Sequence, residues 1–374
     1  MDATRLINPG FWADSEPLAL GDRAVTDWCR DQPALEGHVL FQTSGSSGPP
    51  KWIAVSKPAL LLSAATVNRH LGVDEDACWG LTLPLHHVGG FGVAARAYEA
   101  ASRLATFPGK WDPARFTKWL ADEAVTHVSL VPTQVHDLVT GHLESPPCLR
   151  AVVVGGGRLE DPAGQAARGL GWPVLASYGM TETGSQIATQ GLDVLDLPYQ
   201  PAPLPLLDPW FARVDDDGRL WVSGPALFSG SVVVVEGTSL RWVPRVDEWH
   251  PTGDRAVLDG RNLTPLGRLD GIVKILGELV DPEAIERELM ALAGGSLIVG
   301  DFAVVAIPDE RAGHALVLVA HDRVPEAALA RTLDLYHQQV PGFRRISRGV
   351  RLAHLPVSEL GKLRRGELRR TLLE

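Results

Sequence analysis

The amino-acid sequence predicts an α/β fold: a large N-terminal domain with parallel sheets flanked by helices, residues 1–270, and a small α+β domain, residues 271–374. Two observations predict it. Between residues 77 and 177, short apolar segments alternate with segments of helical periodicity, a pattern that forms largely parallel sheets covered on both faces. From Gly271 onward, a helix, two strands, a second helix and another strand follow as in a small α+β unit. Ligands of such parallel sheets bind at the carboxyl ends of the strands.

Hydrophobic periodicity places the individual elements along the chain. Helical spacing predicts helices at residues 23–31, 59–71, 89–101, 113–124, 133–142 and 159–169. Short apolar runs predict buried strands at residues 77–83, 104–107, 127–131, 151–154 and 173–177. After a proline-rich connection, alternation predicts strands at 219–223 and 231–235 and a hairpin that turns at Asp259-Gly260. The last part is predicted to hold helices at 282–293 and 325–339, strands near 302–307, 315–320 and 350–354, and a final basic helix.

The composition argues against several functional classes. The 374 residues are 45% hydrophobic and 21% charged, as in globular proteins, and no apolar run approaches the length that spans a membrane. The formal net charge of −10 argues against general binding of nucleic acid. Cys29, Cys78 and Cys148 are widely spaced and odd in number, which argues against disulfide and zinc frameworks. Because the N-terminus also lacks the layout of a signal peptide, we expect a cytoplasmic protein.

The segment from Phe41 to Lys51 has the composition of a phosphate-binding loop. Glycines let the backbone approach an anion, while hydroxyls and a lysine ammonium add donors and positive charge. The residues suited to this role are Thr43, Ser44, Gly45, Ser46, Ser47, Gly48 and Lys51. A P-loop NTPase needs glycine before the lysine and Ser or Thr after it, whereas Pro50 and Trp52 occupy those places. A flexible Gly/Ser linker is the alternative interpretation.

Two predicted strands lead into residues suited to a nucleotide. The first leads into Gly155, Gly156 and Gly157, where a flat ring or a phosphate can lie against the backbone, although a tight strand-to-helix turn also needs glycine. The second leads into Tyr178-Gly179-Met180-Thr181-Glu182, which offers an aromatic face, a hydroxyl and a carboxylate able to hold Mg²⁺. A structural tyrosine followed by a helix cap is the alternative.

Further candidates lie near the predicted domain boundary and near the C-terminus. Thr252-Gly253-Asp254 and Gly267-Arg268-Leu269-Asp270 place an anionic and a cationic residue at a shared edge, although Asp beside Gly is commonly a turn. Lys362 follows a glycine ahead of the last helix, and an exposed lysine is by itself ordinary. These residues acquire a functional meaning only together with the rest of the sequence.

Five segments resemble, in the same order, the adenylate-forming superfamily of acyl-CoA ligases. They are residues 43–51, 83–92, 155–157 with 178–182, 252–283 and 356–365. The resemblance covers nearly everything after residue 40 and implies an adenylate-forming enzyme fold with a mobile C-terminal domain. Within the superfamily, the run from Tyr178 to Ile187 is most similar to the o-succinylbenzoate–CoA ligases of menaquinone synthesis. Because the phosphate loop begins at Thr43, we expect a short form that lacks much of the usual N-terminal region.

The resemblance implies a role for each matched residue. For ATP, it assigns the phosphates to the loop from Thr43 to Lys51 and to Thr181, Mg²⁺ to Glu182, adenine to Gly155, Gly156, Gly157 and Tyr178, and ribose to Asp254 with Arg268. Gly179 is also assigned to the nucleotide site. For the carboxylic acid, it assigns His86, His87, Gly90, Ser185 and Gln186, of which His87 is also a catalytic candidate. It assigns the hinge to Asp270, the loop facing the thiol channel to Lys274 and Gly277, and catalysis of adenylation to Lys362, beside Thr181 and Glu182.

The implied reaction has two steps. The acid attacks the α-phosphorus of ATP to give an acyl-adenylate and pyrophosphate, and the thiol of CoA then displaces AMP. The alternatives are an adenylation enzyme for another aryl or carrier-protein-bound acid, and a catalytically silent regulator that binds adenine nucleotide. The implied partners are a small carboxylic acid, ATP with Mg²⁺, and CoA. Neither nucleic acid binding nor membrane insertion is expected, and homodimer formation is left open.

Overall fold

The computed structural model describes residues 2–43, 51–235, 239–269, 271–294, 297, 300–358 and 363–373. The chain divides into two units. The N-terminal unit comprises Met1–Thr252 and Val257–Pro265, and the C-terminal unit comprises Gly253–Ala256 and Leu266–Glu374. The predicted domain boundary at Asp270 falls on a residue outside the described part of the chain and stays a prediction. Among the described residues, no helix is long and apolar enough to cross a membrane.

The N-terminal unit alternates helices with strands. Its helices are α1 (Pro9–Ala13), α2 (Arg23–Arg30), α3 (Lys57–Leu71), α4 (Val88–Glu99), α5 (Pro113–Asp122), α6 (Pro132–Thr140) and α7 (Asp161–Gly169). Its strands begin with β1 (Leu18–Ala19), β2 (His38–Thr43), β3 (Lys51–Ser56), β4 (Cys78–Leu81), β5 (Arg103–Thr106), β6 (His127–Leu130), β7 (Ala151–Val154), β8 (Val174–Met180) and β9 (Ser185–Thr189). They continue with β10 (Leu204–Pro205), β11 (Phe211–Val214), β12 (Arg219–Ser223), β13 (Gly230–Val234), β14 (Leu240–Pro244), β15 (His250–Asp259) and β16 (Asn262–Arg268), the last two of which run on into the C-terminal unit.

The sheet that carries the candidate site is parallel over most of its width. Its order is β5-β4-β6-β7-β8-β9, and every neighbouring pair is parallel except β8 with β9. All four residues of β7 are buried, as expected for a strand covered on both faces. The predicted α/β fold class is confirmed. The antiparallel β9 is a difference from the sequence prediction, since the chain reverses at Gly184, whose φ of +67° is left-handed.

A second sheet holds the predicted phosphate loop. Its order is β1-β2-β3-β13-β14, with β2 and β3 forming an antiparallel hairpin in which Thr43 lies opposite Lys51. Val39, Leu40 and Phe41 of β2 are fully or almost fully buried, so the hairpin is anchored in the core. The hairpin therefore fixes the two described ends of the loop, whose residues 44–50 lie outside the described part of the chain.

The N-terminal lead-in packs tightly although its sequence shows little periodicity. Phe11 and Trp12 of α1 are buried, and their rings lie 6.2 and 5.9 Å from the ring of Phe91 on α4. The indole N–H of Trp12 donates to the carbonyl oxygen of Leu6 at 2.7 Å, which satisfies its polar atom inside the core. This segment thus packs against α4.

The C-terminal unit is built on a small mixed sheet. Its further elements are β17 (Val273–Ile275), β18 (Glu278–Val280), α8 (Pro282–Ala293), β19 (Phe302–Asp309), β20 (Gly313–His321), α9 (Glu326–Gln339), β21 (Ile346–Leu352) and α10 (Arg365–Leu373). The sheet order is β19-β20-β21, antiparallel in the first pair and parallel in the second. Alternate residues of β19 enter two hydrophobic clusters on opposite faces, one shared with α8 and α9 and the other with α10. Because both faces of β19 are covered, residues 302–307 are apolar throughout, and such a continuous apolar run predicts a buried strand.

Candidate active site

A lysine and a carboxylate meet beside the predicted phosphate loop. Lys51 begins β3, and Glu182 lies on the short turn Thr181–Thr183 that follows β8. Lys51 Nζ lies 3.5 Å from Glu182 Oε1, and their side chains are 41% and 18% exposed. The backbone N–H of Phe228 donates to the carbonyl oxygen of Glu182 at 2.8 Å and holds the turn. The structure thus brings together the last residues of two predicted segments, 43–51 and 178–182.

The two predicted nucleotide segments lie at neighbouring strand ends. Val154 of β7 is in register with Ala176 of β8, so Gly155 and Tyr178 emerge on the same edge of the sheet. A Cβ built on Gly155 would lie 3.1 Å from Ser177 Oγ, and Gly156 has a φ of +75°. Glycine is therefore favoured at these positions for local structural reasons. It also leaves the backbone exposed at this edge of the sheet. Gly179 has a different reason, because a Cβ there would lie 2.2 Å from the Ser185 carbonyl oxygen.

The donor set at this edge fits a magnesium ion carried by a nucleotide. The Glu182 carboxylate is partly exposed, and the Lys51 ammonium is its neighbour. Mg²⁺ prefers oxygen ligands and is commonly held by one or two carboxylates together with substrate phosphates. One carboxylate beside a lysine therefore suits an ion that arrives with phosphate.

His250 also belongs to this neighbourhood and was missed by the sequence interpretation. Its ring lies 5.0 Å from the ring of Phe228 in an edge-on arrangement. Burial lowers the pKa of His250, the Glu182 carboxylate opposes this, and Lys51 adds to the lowering. The surroundings of His250 therefore favour the neutral imidazole. The sequence gives no signal for this role, because His250 simply precedes Pro251 and Thr252 there. The role becomes visible only when the fold brings His250 near Lys51 and Glu182.

A buried arginine links two of the predicted acid-binding residues. Arg96 of α4 is 1% exposed, and its Nη2 donates to Ser185 Oγ at 2.9 Å and to Gln186 Oε1 at 2.8 Å. Its Nη1 donates to Ser129 Oγ at 3.1 Å, and the guanidinium lies over the Trp79 ring at 5.0 Å. We call Arg96, Ser129, Ser185 and Gln186 the Arg96 cluster.

The Arg96 cluster holds a positive charge among neutral oxygen atoms. Burial lowers the pKa of Arg96 to about 10, which still leaves the guanidinium charged at neutral pH. The hydrogen-bond acceptors that the described residues supply to it are two hydroxyls and an amide oxygen. An anion placed near the guanidinium would be stabilised by this charge. The sequence interpretation missed Arg96 because an arginine within a helix usually lies on its exposed face.

The predicted acid-binding residues at the start of α4 are two histidines with accessible rings and one buried glycine. His87 immediately precedes the helix and is half-buried, and the exposed His86 ring lies 4.4 Å from it. Gly90 is buried, and a Cβ there would lie only 2.3 Å from the carbonyl oxygen of Pro84. Glycine at position 90 is therefore required for the close packing of the first helical turn.

Asp254 and Arg268 meet within the C-terminal unit. Arg268 Nη1 lies 3.4 Å from Asp254 Oδ1, and the aspartate side chain is 17% exposed. The N–H of Leu269 donates to the carbonyl oxygen of Gly253 at 2.8 Å, and a Cβ on Gly253 would lie 2.6 Å from Arg268 Nη2. The glycine thus lets the guanidinium lie against the backbone beside the aspartate. The shared edge expected from the sequence exists.

The remaining predicted residues lie elsewhere in the C-terminal unit. Lys274 is exposed on β17, and its carbonyl oxygen accepts a hydrogen bond from His314 Nδ1 at 3.2 Å. Gly277 has a φ of +90° in the turn between β17 and β18, which favours glycine. Asp270 and Lys362 lie outside the described residues. Their assignments stay predictions.

A mostly parallel sheet with glycine-rich strand ends, and a lysine of the neighbouring sheet paired with a carboxylate that follows one of these strands, are typical of a nucleotide-binding enzyme. The AMP-binding enzyme family matches residues 21–232, more than half of the chain. The chain belongs to the AMP-binding enzyme family.

Comparison with known proteins gives similar relatives. The 2-succinylbenzoate–CoA ligase of Bacillus cereus strain ATCC 14579 is 30% identical over 353 residues, which cover 91% of this chain and 71% of the relative. The protein of the same name from Bacillus cytotoxicus is 29% identical over 359 residues, with the same coverage of 91% and 71%.

The solved structures give the same picture of the fold. A variant of MenE from E. coli with bound OSB-AMS is 26% identical, with a TM-score of 0.72 over 89% of this chain and 68% of that chain. The o-succinylbenzoate CoA synthetase of Bacillus subtilis in complex with ATP and magnesium is 20% identical, with a TM-score of 0.75 over 100% of this chain and 82% of that chain. The second likeness concerns the fold alone.

Proposed function

We propose that the chain is an AMP-forming o-succinylbenzoate–CoA ligase. It activates the acid with ATP to an acyl-adenylate with release of pyrophosphate, and the CoA thiol then displaces AMP to give the thioester. Support comes from family membership, from relatives named 2-succinylbenzoate–CoA ligase, and from the candidate site. A cytoplasmic location is part of this proposal, and homodimer formation stays a prediction.

The nucleotide end of the site is supplied by Lys51, Thr181 and Glu182. The Lys51 ammonium donates to the ATP phosphates, and the Glu182 carboxylate would hold Mg²⁺, which would neutralise phosphate charge when bound. The exposed backbone at Gly155–Gly157 and the Tyr178 ring hold adenine, and Asp254 accepts hydrogen bonds from the ribose hydroxyls. Positioning and charge stabilisation, rather than covalent catalysis, drive such a transfer.

The Arg96 cluster carries the choice of acid. o-Succinylbenzoate has one carboxylate on its side chain, which reacts, and a second carboxylate on its ring. A second carboxylate beside Ser185 and Gln186 would approach the Arg96 guanidinium, which is paired with neutral atoms in the described residues. An apolar acyl chain would leave the buried guanidinium without a countercharge, whereas the ring carboxylate supplies one.

The remaining roles concern the two half-reactions. Lys362 stabilises the charge that develops when the acid attacks the α-phosphorus. A rotation at Asp270 then moves Lys362 away and brings the Lys274–Gly277 loop towards the thiol, since a few hinge residues are enough to absorb such a domain movement.

The test is to supply the purified chain with ATP, Mg²⁺ and individual acids, and to measure pyrophosphate release and CoA thioester formation separately. We expect o-succinylbenzoate to be preferred over acetate, medium-chain and long-chain fatty acids, and 4-oxo-4-phenylbutanoate, which lacks the ring carboxylate. Comparable turnover of a medium-chain fatty acid would contradict the proposed substrate. Thioester formation only on a carrier protein would contradict CoA as the acceptor, and nucleotide binding without pyrophosphate release would contradict an enzyme.

A further inference from the structure

An arginine at the start of α10 is held by two carboxylates of α8. Arg365 Nη1 and Nη2 donate to Glu286 Oε1 and Oε2 at 2.6 and 2.7 Å, so the pair is bidentate. Arg365 Nε lies 3.2 Å from Glu283 Oε1. The side chains of Glu286 and Arg365 are 15% and 35% exposed. We call Glu283, Glu286 and Arg365 the Arg365 cluster.

The Arg365 cluster is also tied to the central sheet of the unit. Glu286 Oε1 accepts a hydrogen bond from the backbone N–H of Val304 at 2.6 Å, and Arg365 Nη1 lies 3.4 Å from the Val304 carbonyl oxygen. Since Val304 lies in β19, the arginine is fixed against a helix and a strand at once. Planar guanidinium–carboxylate pairing sets orientation as well as distance, which a lysine ammonium cannot reproduce.

The residues just before Arg365 are hydrogen-bonded to residues 356 and 357. The backbone N–H of Arg364 donates to the carbonyl oxygen of Pro356 at 2.8 Å, and Val357 pairs with Leu363 in an antiparallel bridge. These bonds join the described residues on either side of 359–362. Arg365 is therefore the first side chain after Lys362 that anchors this junction to the rest of the unit through an ion pair.

We infer that Arg365 is a positioning residue for adenylation: through Glu286 and Glu283 it fixes residues 363–365, which directly follow Lys362 in the sequence. This inference rests on the proposed role of Lys362. Displacing a reacting group by about 1 Å can cost on the order of 10²-fold in rate, so a small shift of this junction is enough to slow the first half-reaction. The thioester step, which does not use Lys362, does not depend on the cluster.

The same helix offers a matched control. Glu288 of α8 pairs with Arg344 at 2.8 Å, and these two side chains are 43% and 27% exposed. This pair lies in the same unit and involves the same two residue types, but Arg344 is remote in sequence from Lys362. It therefore reports the effect of losing an ion pair on α8 without disturbing the junction.

The experiment measures both half-reactions of the full chain for Arg365→Lys, Glu286→Gln, Arg344→Lys and Lys362→Ala, with thermal unfolding of each variant. The expected result is a loss of adenylation of about 10- to 10²-fold for Arg365→Lys and Glu286→Gln. The thioester rate from preformed acyl-adenylate is expected to stay within about twofold of the original chain for every variant. Arg344→Lys is expected to leave the ratio of the two rates unchanged.

A double variant sharpens the test. If Arg365 acts through Lys362, Arg365→Lys will cost nothing further in adenylation once Lys362→Ala is present. Additive losses, equal loss of both half-reactions, or unchanged adenylation in Arg365→Lys and Glu286→Gln would each overturn the inference. Should Arg365→Lys unfold, Glu286→Gln decides, because it keeps the shape of the side chain. A failure of the proposed function is seen separately, as an original chain that forms no acyl-adenylate.

Discussion

Arg96 in the N-terminal unit is buried and Arg365 in the C-terminal unit is partly exposed, and the two arginines also have different partners. Arg96 is 1% exposed and donates to neutral oxygen atoms, including those of Ser185 and Gln186. Arg365 is paired with carboxylates, among them Glu286 in a bidentate arrangement. A guanidinium between carboxylates has its charge neutralised within the protein, whereas one among neutral groups keeps its field available to a ligand.

The comparison assigns different tasks to the two units. We expect changes near Arg96 to alter which acid is used, and changes near Arg365 to alter how fast the adenylate forms. The two effects are separable because one appears as a ratio between acids and the other as a ratio between half-reactions.

Lys362→Ala should have the largest effect. Loss of one donor that stabilises developing charge typically costs about 10²–10³ in rate, so adenylation should fall by at least this factor. Preformed acyl-adenylate should still be converted to thioester at nearly the normal rate, measured in a single-turnover assay. Equal loss of both steps in a stably folded variant would contradict the assignment, and loss of neither would make Lys362 a surface lysine.

Arg96→Gln should have the second largest effect, a loss of activity towards o-succinylbenzoate. A hydrogen bond to a charged group contributes about 1.5–3 kcal/mol, so kcat/KM for o-succinylbenzoate should fall about 10- to 10²-fold. The value for 4-oxo-4-phenylbutanoate should fall much less, because that acid has no ring carboxylate. The measurement is the ratio of the two kcat/KM values.

Arg168→Gln is the control for Arg96→Gln. Arg168 also donates to neutral oxygens, the carbonyls of Val174, Val194 and Leu197, and burial lowers its pKa. Its loss should lower the melting temperature while leaving the ratio between the acids unchanged. If both variants changed this ratio alike, Arg96 would have only a structural role.

Asp254→Ala should weaken ATP binding by about 1.5–3 kcal/mol, the range for hydrogen bonds to charged groups. The reason is the loss of a carboxylate acceptor for the ribose hydroxyls at the edge shared with Arg268. Calorimetric titration with ATP measures it, and the preference between acids should not change. Unchanged affinity in a folded variant would reduce Asp254 to a turn residue.

His127→Gln should have the smallest effect and should alter only the response to acid. Burial lowers the pKa of His127 to about 4, from 6.5 in the unfolded chain. Between these values the unfolded state binds the extra proton, so stability falls as the pH drops from 6.5 towards 4 and the change ends below 4. At about 1.4 kcal/mol per pH unit, the chain should lose roughly 2 kcal/mol between pH 6.5 and 5 through this group.

Urea unfolding at the two pH values measures this loss, and the variant should show a flatter dependence. An unchanged slope in His127→Gln would mean that other groups govern the acid response. Because His127 lies in β6 beside the Arg96 cluster, the result also reports how strongly this region resists a second positive charge.

Much of the fold was predictable because its signals are local. The apolar runs at 151–154 and 302–307 were predicted as strands, and both strands exist. The superfamily and the fold class are confirmed, since short motifs such as Thr43–Lys51 are recognisable without a structure. The roles of the individual site residues stay predictions.

The sequence by itself determined the period of its elements, the order of its motifs and the chemical groups available for a nucleotide. Only the tertiary structure decided that Arg96 lies behind Ser185 and Gln186, that His250 approaches Glu182, and that the aromatic residues of α1 pack on α4. The physical reason is that periodicity reports which face of an element is buried, but not which distant face it meets. Whether a guanidinium is paired with carboxylates or with neutral oxygen atoms depends on which elements pack together, and therefore on the fold.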